Sequence, residues 1–420
     1  MQQSILKVNE IRSKFPALAQ TGADGRPYVF FDGPGGTQVP QAVLDAVADY
    51  FVHSNANNGG LFVTSRRNDE TIARARAAMA DFFNAPSTET IVFGANMTTL
   101  TFRMSRAIGR RLQRGDEIVV TRLDHDANVA PWAALAEKGV VINYADFNTS
   151  DCTLDLDQLA SLITERTRLV AVGYASNAVG TINPIREIAA MAHAKDAWLW
   201  VDAVHFAPHG LIDVQALDCD FLVCSAYKFF GPHVGVLYGK YPLLENLEAY
   251  KLRPADAAPP GKFETGTLNH EGLAGVAAAV DYLANICEFS ALDPADIPKQ
   301  RRSRLQRSMA LIAQYERTLF EYMLGRIQEI PGIRIYGTLD SQTSEGRCPT
   351  LAFTKDGMSP QAVADALGKR NIFVWDGNYC AISVTETLGL EESGGMVRVG
   401  LVHYNTAEEV DRLIKALQTN

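Results

Sequence analysis

The chain has 420 residues, 47% of them apolar and 21% charged, and carries a formal net charge of −9. That length exceeds the usual ceiling for one hydrophobic core and implies a large domain with a smaller one. The composition excludes a disordered or fibrous chain, and Lys and Arg residues scattered along the sequence argue against a nucleic-acid partner.

The N-terminal stretch MQQSILKVNEIRSKF lacks the apolar core of a signal peptide, and no run approaches the length of a membrane span. Helical patterns follow at about 41–53 (QAVLDAVADYFVH) and 70–83. Short Val- and Ile-rich runs then alternate with amphipathic stretches: TIVFG at 90, DEIVVT at 116, GVVINY at 139, RLVAVGY at 168 and AWLWVD at 197. This alternation predicts βαβ units and a mainly parallel sheet covered on both faces. FLVCS at 221 and VGVLYG at 234 follow too closely for a crossover helix, so one of them is expected to be antiparallel.

The Pro- and Gly-rich segment 254–266 breaks the pattern. Two helical stretches, near 270–290 and up to about 329, lead into a second unit with strand-like IRIYG, TLAFT, NIFVW and MVRVGL. The expected organisation is an N-terminal arm (1–25) that packs on the second unit, a large domain (26–290) and a small C-terminal α/β domain (291–420). The basic run KQRRSRLQR at 299–307 reads as a solvated helix face. Cysteines at 152, 219, 224, 287, 348 and 380 form no CxxC pair, which points to reduced thiols in a cytoplasm. The eight histidines show no metal-ligand spacing such as HExxH, so no metal is expected.

Four segments lie at predicted strand ends, where open α/β sheets place their ligands: FGANMTT (93–99), LDHDAN (123–128), WVDAVH (200–205) and CSAYKFFGP (224–232). Each alone is weak, since Asp at a strand end is often a helix cap and Gly before a helix often just a turn. Together and in this order they resemble the class V aminotransferase family of fold-type I pyridoxal 5'-phosphate (PLP) enzymes. Within it, the chain is most similar to the group II cysteine desulfurase and selenocysteine lyase branch. The stretch 212–239 carries the likeness most closely, with SNAVGTINPIREIAAMAH (176–193) and VHYNTAEEVDRL (402–413) similar too.

The resemblance implies the cofactor PLP, bonded to Lys228. PLP joins the substrate amine and draws the electrons of a broken Cα bond into its pyridinium ring. Asp202 matches the carboxylate that keeps the ring nitrogen protonated. His205 and Asn177 match groups beside the phenolate oxygen, and His125 matches the histidine that stacks on the ring and relays protons. Gly94, Ala95 and Asn96 match the phosphate cup at a helix N-terminus, although the family often has Thr at positions 95 and 96. Ser225 matches a hydroxyl on the same phosphate. Thr267 matches one supplied by the neighbouring subunit, which implies a homodimer with shared active sites. Arg398 matches the arginine that grips the substrate α-carboxylate.

Cys380 aligns with the catalytic cysteine that takes sulfur from the substrate. Its surroundings differ: Trp375 and Asp376 replace Arg and Thr, and Asn378 and Tyr379 replace two histidines. Asn58 and Gly59 replace His and Arg near the substrate, where Asn58 is the candidate contact, and Tyr227 replaces the His before Lys228. With fewer cations nearby, Cys380 is expected to be less thiolate-like, and an inert buried thiol stays open as its role. The expected activity is carbon–sulfur bond cleavage in cysteine or a related β-substituted amino acid, with any sulfur acceptor unnamed. An aminotransferase or amino-acid epimerase, and a PLP-binding protein without catalysis, remain as alternatives.

Overall fold

A computed structural model describes residues 5–339 and 346–419; residues 1–4 of the expected N-terminal arm lie outside them. Thirteen strands occur among the described residues. The first, β1 (Val29–Phe30), is followed by β2 (Ile91–Gly94), β3 (Glu117–Thr121), β4 (Val141–Ala145), β5 (Thr167–Gly173), β6 (Trp198–Asp202), β7 (Phe221–Ser225) and β8 (Gly235–Gly239). Strands β2–β8 form one seven-stranded sheet in the order β2-β8-β7-β6-β5-β3-β4. Only β8 runs against its neighbours, pairing antiparallel with both β2 and β7. It follows β7 too soon for a helix to carry the chain back across the sheet.

Both faces of this sheet are buried, and the side chains alternate between two cores as a period of two requires. On β6, Leu199 and Val201 enter a core with Val170, Val172 and Leu222, while Trp200 enters another with Ile118, Val120 and Val223. From β3 the chain steps outward to β4 and returns to β5 on the opposite side of β3. That reversal opens a crevice beyond the carboxyl ends of β3 and β5.

A four-stranded sheet follows, in the order β12-β13-β10-β9, from β9 (Ile333–Tyr336), β10 (Thr350–Lys355), β12 (Trp375–Gly377) and β13 (Met396–Gly400). The helices Arg301–Gln328 and Ala407–Gln418 contribute Leu319, Phe320, Leu413 and Ile414 to the core against it. β1 pairs in parallel with β11 (Ile372–Phe373), so the N-terminal segment is stitched to C-terminal chain.

Two sequence expectations are corrected. Segment 270–289 is long and apolar enough by composition to cross a membrane, but 78% of its 18-residue apolar window is buried inside the protein, where it packs as a core helix. The basic run is not simply solvated: Arg301 bridges Asp81 and Asp281, and Arg302 donates to the carbonyls of Asp81, Phe82 and Ile212. These arginines clamp the long helix to the large sheet's layer rather than presenting free charge.

Candidate active site

The helix Met97–Gly109 begins where β2 ends. Asn96 caps it, its side-chain oxygen accepting from the Thr99 N–H at 2.8 Å, so the cap uses the amide at 99 and leaves those at 97 and 98 for other partners. The Met97 N–H donates to Ser225 Oγ at 2.9 Å, joining this helix to the end of β7. Gly235 permits the approach: a Cβ there would lie 2.4 Å from the Asn96 carbonyl carbon. Register places Gly235 between Gly94 and Ser225 across three strands. The result is a helix N-terminus with a hydroxyl beside it, an arrangement suited to a phosphate dianion.

Met97, Thr98 and Ser225 line a cavity of about 210 Å³ together with Asp124, His125, Asn177, Asp202, His205, Lys228, Tyr379, Cys380 and Arg398. Lys228 follows β7 in a short 3₁₀ turn, and its Nζ donates to the Pro34 carbonyl. Burial, then the nearby Arg398 cation, push its pKa down to about 7, against the opposing pull of Asp202. Asp202 ends β6, and one carboxylate oxygen accepts from the Val204 N–H at 2.9 Å. Burial raises its pKa to about 6, so a cationic ring nitrogen set against it would restore the charged form.

His125 is held in a defined tautomer. Its Nδ1 accepts from the Ala127 N–H at 3.0 Å, so the ring proton sits on Nε2. Burial, with Lys228 and Arg398, pushes its pKa down to about 4, and the ring is neutral at physiological pH. Asp124, its neighbour, accepts from the Thr121 hydroxyl at 2.8 Å. Burial and then the Asp202 charge raise its pKa to about 8, so this carboxyl is largely protonated at pH 7.

Arg398, in the middle of β13, is buried, donates through Nη1 to the Asn177 carbonyl at 2.7 Å and leaves Nε without a partner. Asn177 in turn donates to the Tyr379 carbonyl at 3.0 Å and leaves its own Oδ1 unpartnered. Unsatisfied buried polar atoms in a cavity mark where a ligand supplies the missing partners. Cys380 is the one exposed cysteine of the six, and it lines the same cavity. Tyr379 and Cys380 both have left-handed backbone, at φ 57° and 59°, a costly conformation for residues with a Cβ. The turn is fixed by Asp126, whose N–H donates to the Cys380 carbonyl at 2.7 Å, and by Asn378, whose side chain accepts from the Cys380 N–H at 3.1 Å.

The structure thus brings together Lys228, Asp202, His205, Ser225, His125, Asn177, Arg398 and Cys380 from distant stretches of chain. Gly94, Ala95 and Asn96 do not line the cavity; Asn96 acts on it as the cap of the helix that begins there. Asn58 and Thr267 are exposed on loops and do not line the cavity of their own chain. Cys380 is exposed rather than the buried thiol left open above, and Lys228 and Arg398 share its cavity. Sequence reasoning missed Asp124 and Tyr379 as wall residues. Asp124 was legible as the acid beside His125 at a strand end, whereas nothing local to Tyr379 signals its left-handed turn.

The residues present fit PLP: an anion cup, an amine, a carboxylate for the ring nitrogen and a neutral imidazole converge on one cavity. Comparison with known proteins agrees. Residues 29–297 and 305–413 match the model of the aminotransferase class-V family. The chain is 32% identical to a cysteine desulfurase of Serratia proteamaculans, over 98% of this chain and 97% of that relative. It is 34% identical to a cysteine desulfurase of Synechococcus elongatus over 98% of its own length, and spans 63% of that longer relative. Among solved structures, a cysteine desulfurase from Thermococcus onnurineus superposes with a TM-score of 0.85 at 26% identity, covering 98% of this chain and 97% of that one. A cysteine desulfurase from Escherichia coli gives 0.82 at 28% identity, covering 98% of both chains. The chain belongs to the aminotransferase class-V family. It is an enzyme of that family's PLP-dependent type, related across its whole length to proteins named cysteine desulfurase.

Proposed function

We propose that this enzyme is a cysteine desulfurase, removing sulfur from cysteine or a closely related β-substituted amino acid. The observation that carries the reading is the shared cavity of Lys228, Arg398 and Cys380. PLP, when bound, supplies the electron sink for the bonds broken on the substrate. Met97, Thr98 and Ser225 would hold its phosphate, Asp202 would pair with its ring nitrogen, and Asn177 and His205 would face its phenolic oxygen. Lys228, with a pKa near neutrality, takes and returns a proton at Nζ. His125 would offer its Nε2 proton to the cofactor ring or the substrate bound on it, and Arg398 would grip the substrate carboxylate.

Cys380 receives the sulfur. Its thiolate forms the S–S bond as the substrate C–S bond breaks, so cysteine and an enzyme thiol become alanine and an enzyme persulfide, with no outside oxidant. The exposed position and the two cations in the cavity support this role. Thr267 and Asn58, exposed outside their own cavity, fit a homodimer in which each chain completes the other's site. The exposed apolar residues Phe51, Val52, Leu61, Phe62 and Val63 near Asn58 favour the same arrangement. Six free thiols fit a cytoplasmic enzyme, and a division near residue 290 into a large and a small domain follows the two sheets.

The test is product analysis with cysteine as substrate, in wild type and Cys380→Ala. Alanine and a protein persulfide in equal amounts, both lost in the variant while PLP stays bound, are expected. Pyruvate or a racemised amino acid as the product, or persulfide formation undiminished in Cys380→Ala, would overturn the proposal.

A further inference from the structure

A second cavity of about 180 Å³ lies behind the first, lined in part by Phe206, His209, Glu316, Arg347 and Cys348. His209 and Cys348 at its wall cluster with His205, which lines the first cavity: one ring nitrogen from each histidine and the cysteine sulfur lie within 4.8 Å of one another, and all three residues are buried. The two histidines are four residues apart in HFAPH. Each is also anchored through a ring nitrogen. His209 Nδ1 meets a Glu316 carboxylate oxygen at 2.8 Å, and His205 Nε2 meets the Thr350 hydroxyl at 3.0 Å. A carboxylate or hydroxyl behind each histidine is the arrangement that orients imidazoles as metal ligands.

Glu316 supplies an independent observation. Its side chain is 2% exposed, yet only Oε2 is used by His209, and Oε1 has no hydrogen-bond partner. A buried carboxylate oxygen left unpaired is costly unless positive charge lies nearby. Arg347 lines the same cavity but forms no ion pair with Glu316 among the described residues: its Nη atoms donate to the carbonyls of Thr338, Val179 and Thr350 and its Nε has no partner. An imidazole–carboxylate pair alone therefore leaves the second nitrogen of His209, the Cys348 thiol and Glu316 Oε1 unexplained.

We propose that His205, His209 and Cys348 form a binding site for a divalent transition-metal ion of the zinc class, with its fourth position open to the second cavity. Two imidazoles and one thiolate are a donor set for such an ion, not for magnesium or calcium. Tetrahedral coordination needs ligand atoms roughly 3.3–3.6 Å apart, so the three side chains close in by about 1 Å on binding. The Cys348 S–H bond breaks as the metal–sulfur bond forms, and the proton leaves to solvent with no change of oxidation state. The thiolate and Glu316 together offset the ion's two charges. His205 also lines the cofactor cavity, so an ion bound to its imidazole shifts a ring that faces the cofactor. The site is thereby a point at which metal acts on the cofactor.

The test uses holoenzyme stripped of metal on a chelating resin, equilibrated with zinc sulfate and desalted, with zinc and PLP per chain measured together. About one zinc per chain is expected in wild type, with a change in the cofactor's absorption spectrum. Cys348→Ala and His209→Gln, each keeping full PLP, are expected to retain several-fold less. No zinc retained by wild type, or equal retention in PLP-loaded variants, would overturn the proposal. Neither result depends on turnover, so it stands or fails apart from the desulfurase reading.

Discussion

The guanidinium carbon of Arg398 lies 4.2 Å from the centre of the Tyr379 ring. No carboxylate forms an ion pair with this buried arginine among the described residues; the ring face and the Asn177 carbonyl hold its charge in place. The Tyr379 hydroxyl donates to the Met396 carbonyl and fixes the ring in turn. A cation–π contact shielded from solvent contributes about 1–2 kcal/mol. Tyr379→Leu is therefore expected to raise KM for cysteine roughly tenfold with a smaller effect on kcat. Arg398→Lys keeps the charge but loses the fork, and is expected to raise KM further. Steady-state kinetics of both variants check this; an unchanged KM in Arg398→Lys would remove Arg398 from substrate binding.

Lys228 titrates near 7 rather than at the ordinary lysine value because its ammonium is buried beside Arg398. Only the neutral amine can capture the cofactor. The second-order rate of PLP uptake by apoenzyme should therefore rise about tenfold from pH 6 to pH 8 and then level off. An ordinary lysine would keep gaining tenfold per pH unit well beyond 8. Stopped-flow absorbance across pH 5.5–9.5 separates the two, and Arg398→Met should move the midpoint upward.

Asp124 makes a stability prediction of definite sign. Its folded-state pKa, about 8, lies above the ordinary carboxyl value because burial and the Asp202 charge disfavour ionisation. The stability tied to its protonated form is fully present below about 3.8 and is lost as pH rises through about 8. Asp124→Asn keeps the shape and an acceptor for the Thr121 hydroxyl without a carboxylate to ionise. Its Tm relative to wild type should climb from pH 5 to about pH 8 and then level off. A difference that is flat across this range would mean Asp124 is not the buried acid described.

The strands were legible because their residues obey a local rule. TIVFG, RLVAVGY and AWLWVD are continuous β-branched and aromatic runs, as a sheet buried on both faces requires, and all three are strands within a residue or two of where the runs fall. The site residues at strand ends were legible for the same reason: once the strand is placed, Asp202 and Ser225 follow as its last residues. What was not legible depends on chain brought from far away. Arg398 and Lys228 are 170 positions apart in number and meet Cys380 only because β13 is laid beside β10 and β12. The role of Arg302 as a clamp likewise depends on the carbonyls at 81, 82 and 212, which no pattern within 299–307 announces.

Gly235 offers the sharpest check on how the sheet builds the phosphate cup. Its φ is not in the left-handed region, so a side chain there is excluded by space rather than by backbone conformation. The nearest atoms to an added Cβ are the Asn96 carbonyl carbon at 2.4 Å, oxygen at 2.6 Å and Cα at 2.7 Å, all main chain and so unable to rotate aside. Gly235→Ala must push the start of the helix Met97–Gly109 away from β8, and with it the Met97 amide that is bound to Ser225 Oγ. Ser225→Ala removes the hydroxyl without moving the helix and should weaken PLP binding by about 1 kcal/mol, roughly fivefold in Kd. Gly235→Ala should weaken it more, because it displaces several amides together. Equilibrium dialysis against PLP, with Tm of the apoenzymes as a control for folding, gives the order of the two effects. If Gly235→Ala bound PLP as tightly as wild type, the first turn of the helix would not be the phosphate site.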